Sequence, residues 1–120
     1  MARPREFDQT LVMAKARALF ASQGYNGTSI DDLVRATGLL RGSLYKAFGS
    51  KRNIFLALLQ ETVEEFETSA ENLDLLTVAL KDLAPYDNAI RNQCIAIIGG
   101  QEKKFVELLG KNIVAKMKEK

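Results

Sequence analysis

The side chains best equipped for chemistry lie within residues 28–51, TSIDDLVRATGLLRGSLYKAFGSK, and they are hydrogen-bond donors rather than acids, bases or metal ligands. Arg41, Ser43, Tyr45 and Lys46 fall within six consecutive positions. A helix over residues 41–48 turns Leu44 and Phe48, four apart, to one side and leaves those four on the other. A guanidinium can bond a flat acceptor edge twice, an ammonium meets an anion as a point charge, and a hydroxyl can do either. Such a face suits recognition of an anionic, acceptor-rich surface, and it makes or breaks no bonds.

Catalysis has little to draw on elsewhere. The sequence has no His, so it lacks the commonest neutral-pH base and metal ligand. No His/Cys/Asp/Glu cluster has metal-ligand spacing, and the carboxylates are scattered over helix surfaces. No metal, cofactor or enzymatic activity is expected. The single cysteine, Cys94, excludes an internal disulfide framework and suits a reducing cytoplasm. Its neighbours Ile95, Ile97 and Ile98 point to an inert buried thiol rather than a redox sensor.

The donor face needs elements to hold it. Upstream, residues 29–37 put Ile30, Leu33 and Val34 on one helical face, and Ser29 with Asp32 three residues on has the form of a capping box. Gly38 supplies the stop, because glycine takes the left-handed conformation that closes a helix, and the chain can then turn within about three residues. Residues 7–23 form a helix with Val12, Ala16, Leu19 and Phe20 on one side, ended by Gly24 and followed by the Asn26-Gly27 turn. Three helices, 7–23, 29–37 and 41–48, with a glycine turn between the last two, make a helix-turn-helix head over residues 1–52.

The run Gly38-Leu39-Leu40-Arg41-Gly42-Ser43-Leu44-Tyr45-Lys46-Ala47-Phe48, with Ser50-Lys51 after it, resembles the DNA-binding signature of TetR-type bacterial transcriptional repressors. Val12, Ala16, Leu19, Phe20, Gly24 and Tyr25 extend the resemblance back through the first helix. Two positions depart from the family's usual pattern. Leu40 stands where a serine commonly caps the recognition helix, and Ala47 where a histidine often reaches a phosphate. The resemblance implies an all-α protein that represses transcription by binding a palindromic operator as a homodimer. Within it, Arg41 and Ser43 are the expected base contacts, while Thr28, Ser29, Tyr45, Lys46 and Lys51 grip phosphates.

Charge patterning agrees. Through Arg52 there are nine basic residues against four acidic ones, so the front is basic and the remainder acidic although the net charge is only +2. Arg3 and Arg5 belong to a short polar stretch that reads equally as a basic arm or a frayed terminus. Lys51 and Arg52 sit at the start of a fourth helix capped by Ser50. Cations there oppose the helix dipole, a disadvantage that a docked phosphate would reverse.

Residues 53–120 form a connecting helix and a short helical region. Ile54, Phe55, Leu58, Leu59, Val63 and Phe66 predict one long fourth helix reaching about Asn72, roughly 30 Å, with Glu61, Glu64, Glu65, Glu67 and Glu71 on its outer face. Three shorter helices follow: one before Pro85, one over 89–98, and one over 101–118. The family's C-terminal domain is usually longer, holding both the dimer contact and an inducer. The 48 residues after Asn72 make an inducer pocket doubtful and dimerisation the better use. Phe105, Leu108, Leu109, Ile113 and Met117 are the candidate dimer stripe, with packing on the fourth helix as the alternative. No apolar run is long enough to span a membrane. A different reading is a truncated family member that acts as a protein-interaction or mixed-dimer module with weak DNA binding of its own.

Overall fold

The computed structural model describes residues 8–64 and 69–119. The expectations for Arg3, Arg5, Phe7, Glu65, Phe66 and Glu67 lie outside them. Among the described residues the fold is all-α: α1 (Gln9–Gln23), α2 (Ile30–Thr37), α3 (Arg41–Phe48), α4 (Lys51–Glu64), α5 (Ala70–Val78), α6 (Asn88–Ile98) and α7 (Glu102–Lys118). A π-helical turn, Ala79–Leu83, continues α5.

Local chemistry sets the boundaries. Asp8 caps α1 by accepting from the Leu11 N–H at 3.3 Å. At α2 the capping box is complete: the Asp32 N–H donates to Ser29 Oγ at 3.0 Å, and the Ser29 N–H to Asp32 Oδ2 at 2.9 Å. Gly38 closes α2 at φ 77°, with its N–H on the Val34 carbonyl, a backbone state that a residue with a Cβ adopts at a cost. No side chain caps α3, and Leu40 in the capping position is 76% exposed.

The fourth helix is shorter than the apolar spacing suggests. Its described part, Lys51–Glu64, has 14 residues, which at 1.5 Å per residue is about 21 Å. Ser69 then adopts an extended conformation and accepts from the Asn72 N–H at 3.1 Å, so Asn72 and Glu71 belong to α5. A capping serine restarted the helix where side-chain spacing alone ran straight through.

One continuous core joins all of this, from Met13, Ala16 and Phe20 of α1 through Leu33 and Leu44 to Leu75, Leu76, Ile90, Cys94 and Phe105. At its centre Phe55 of α4 meets Phe20 edge-on at 5.2 Å and Tyr25 at 5.5 Å, geometry favoured by the ring quadrupoles. Two polar ties reinforce the link between front and back. Arg17 donates to Thr62 Oγ1 and Asn72 Oδ1, each at 3.0 Å, and pairs with Glu61. Arg52 bonds Asp87 through Nε at 2.5 Å and Nη2 at 3.0 Å, while Asp87 also caps α6.

The last helix packs on α5 rather than on α4. Phe105 is buried, Asn112 Nδ2 donates to Asp74 Oδ1 at 2.6 Å, and Lys116 Nζ lies 2.7 Å from Asp74 Oδ2. Cys94 is buried as expected, and burial pushes its thiol up to about 11, far from a reactive thiolate.

Candidate nucleic-acid interface

Helices α2 and α3 hold the donor face through their inner sides. Leu33 and Leu44 are fully buried, Ile30, Val34, Leu39 and Phe48 pack partly against the same core, and the polar side of α3 is left outward. Arg41 and Lys46 are exposed, Tyr45 is 43% exposed, and Ser43 is half-buried. Ser29 is exposed too. Its oxygen accepts the Asp32 N–H, which leaves its own proton to offer.

Two expected phosphate ligands face the other way. Thr28 is 0% exposed, and its hydroxyl donates to the Gly24 carbonyl at 2.7 Å while its N–H bonds the Tyr25 carbonyl at 3.2 Å. With both donors engaged inside, Thr28 fastens the α1–α2 turn. Lys51 turns inward as well: Nζ donates to the carbonyls of Tyr25 and Thr28, each at 3.0 Å, and sits 4.1 Å from the Tyr25 ring centre. Burial holds its pKa below the ordinary lysine value. Carbonyl oxygens of the α1–α2 turn thus accept from the lysine that begins α4.

Much of the front half's positive charge is similarly engaged. Arg17 pairs with Glu61, Arg35 with Asp32, Arg41 with Asp31, and Arg52 with Asp87. On α3, Lys46 forms no ion pair among the described residues. Neither Asp31 nor Asp87 was foreseeable as a partner, since ten and 35 residues separate them from their arginines. The side chain of Asp32 is held below the usual carboxylate range, chiefly by the Ser29 backbone N–H.

This geometry coincides with a known module. Residues 12–58, from α1 into α4, match the family model described as bacterial regulatory proteins, tetR family. The chain carries a TetR-family domain. The uncharacterized HTH-type transcriptional regulator YezE of Bacillus subtilis (strain 168) is 42% identical over 64 residues, which is 53% of this chain and 33% of that protein. The HTH-type transcriptional repressor ComR of Escherichia coli (strain K12) is 39% identical over 58% of this chain and 33% of its own length. The repressor AcnR of Corynebacterium glutamicum is 37% identical over 63% of this chain and 42% of its own length. The chain therefore matches between a third and about two fifths of these relatives. No solved structure matches it significantly. The matched range takes in α2, the Gly38 turn and α3, and the outward donors lie on α3.

No helix among the described residues is long and apolar enough to cross a membrane.

Proposed function

We propose that this protein is a sequence-specific DNA-binding transcriptional regulator, a repressor that occupies a palindromic operator as a homodimer. The observation that carries the reading is the outward donor face of α3, held by Leu44 and Phe48 behind it, inside a TetR-family domain. Two of the relatives are named as repressors, and competition for an operator is the simplest action for a module of this kind.

Exposure and position on the helices support a division of roles. Arg41 and Ser43 stand at the start of α3, where a recognition helix meets base edges, and a guanidinium can bond guanine O6 and N7 together. Tyr45, Lys46 and Ser29, all exposed, grip phosphates, which position the helix without carrying sequence. Thr28 and Lys51 act one step back, by fixing the turn from which α2 starts.

A single α3 binds weakly, whereas two related by a two-fold axis can lie about 34 Å apart, one turn of DNA. The surface for that pairing is the free side of α7. Ile113 and Met117, 51% and 67% exposed, line up with Val106 and Val114, 64% and 48% exposed, while Phe105 of the expected stripe belongs to the core. Gly110 lies within this stripe, with nothing within 4 Å of where its Cβ would be, so another helix can approach closely there. The rival reading, an interaction module with weak DNA binding of its own, draws on the internal pairing of four arginines.

Selection of duplexes from a random pool by the full chain, with mass measured by light scattering, separates them. A two-fold symmetric enriched site and a dimer mass support the regulator. A chain that enriches no sequence supports the rival.

A further inference from the structure

The ion pair between Arg41 Nη2 and Asp31 Oδ1 has no part in the roles assigned above. Asp31 stands in the first turn of α2 and its partner at the first position of α3, so the pair bridges the turn of the motif. The two side chains are 62% and 50% exposed. Pairs this exposed add little to stability, so a purely structural purpose is a poor account of it. Its effect falls on the charge and freedom of one side chain. A free arginine samples many rotamers and can meet any phosphate within reach, whereas a held one gives up that freedom before DNA arrives.

We propose that Asp31 is a positioning residue for sequence discrimination. Its carboxylate takes one N–H of the Arg41 guanidinium, fixes the side chain along the outer side of α3, and leaves the remaining N–H groups for a base edge. Paired in this way, the Arg41 guanidinium also attracts phosphate in general less strongly. With Asp32 holding Arg35 next to it, the α2–α3 face carries its cations in neutralised form and leaves Lys46 as the cation of α3 without a carboxylate among the described residues. Affinity for arbitrary duplex is thereby reduced more than affinity for the matched one, and the ratio between them is what a regulator needs among many competing sites. The inference rests on the reading of α3 as a DNA-reading helix and adds to it a residue outside that helix.

The test is binding of the full chain to its selected duplex and to a scrambled duplex of equal length, each at several salt concentrations, with melting temperature recorded alongside. For Asp31→Asn, the expected result is about two- to fivefold tighter binding of scrambled duplex, the size of one exposed charge pair. Its salt slope should steepen by about one counterion, and the preference for the selected duplex should fall. Asp31→Glu, which keeps the charge, should stay near wild type. Adding Arg41→Ala to Asp31→Asn should remove the gain in steepness, because the gain works through that guanidinium. A variant that merely loosened the fold would lower the melting temperature without steepening the slope, and that outcome overturns the proposal. So does an Asp31→Asn protein that discriminates as well as wild type. Wild-type protein that binds no duplex would instead overturn the DNA-reading assignment, and this inference with it.

Discussion

Lys51 and Tyr25 are joined twice: Nζ donates to the Tyr25 carbonyl at 3.0 Å and lies 4.1 Å from the centre of its ring. A cation that sequence alone assigns to phosphate thus holds the loop from which α2 begins. Replacing it should damage the fold before it damages the electrostatics of DNA binding. For Lys51→Met, which keeps the apolar stem, the expected result is a lower melting temperature and an unchanged salt slope. A slope reduced by about one with unaltered stability would return Lys51 to the DNA.

Thr28 makes the same argument with smaller atoms. Its buried hydroxyl donates to the Gly24 carbonyl at 2.7 Å, and Thr28→Val removes that donor with little change of shape. Stability should fall by about 1 kcal/mol, the net worth of a typical hydrogen bond. Chemical denaturation measures the loss, and a neutral result would mean that the turn does not depend on this bond.

The recognition helix starts without a side-chain cap, because Leu40 stands at the capping position and is 76% exposed. Leu40→Ser supplies an acceptor for the orphan N–H groups of the first turn and removes an exposed apolar side chain. A gain of about 1 kcal/mol is expected, read as a higher denaturation midpoint with an unchanged slope. Loss of stability would show that Leu40 packs against something.

Legibility in the sequence divided along a physical line. Features set by local chemistry came through: the Ser29–Asp32 capping box, the left-handed Gly38, the Ser50 cap, and the inward Leu44 with its outward neighbours all stand where residue type and helical period put them. Features set by long-range partners did not. The inward turn of Thr28 and Lys51 depends on carbonyls arranged by the α1–α2 loop, and Arg52 depends on Asp87, 35 residues on. Apolar spacing continues past Ser69 and so predicts a longer fourth helix, whereas the sign of a new start is a single capping side chain. Phe105 and Met117 share a period yet not an environment, because α5 covers only one side of α7.

Acid should loosen the tie between α4 and α6. The Arg52 guanidinium beside it holds the Asp87 carboxyl at about 2, below its ordinary 3.8. A carboxylate with a depressed folded-state pKa contributes stability above its unfolded value, and that contribution is lost as pH falls from about 3.8 towards about 2. Asp87→Asn keeps an acceptor for the α6 cap but gives up the charge. Its stability should therefore change less across this window than wild type does. Equal acid sensitivity in the two proteins would show that the pair does not contribute.

The central claim is that the outward side of α3 reads DNA, and the most direct measurement is a salt series of equilibrium titrations on selected and scrambled duplexes with wild type, Arg41→Ala and Lys46→Ala. The expected result is a division of effect. Arg41→Ala should lose about 1–3 kcal/mol on the selected duplex with its preference relaxed, and Lys46→Ala should weaken both duplexes alike and lower the salt slope by about one. Variants that bind both duplexes as wild type does, at every salt concentration, would contradict it.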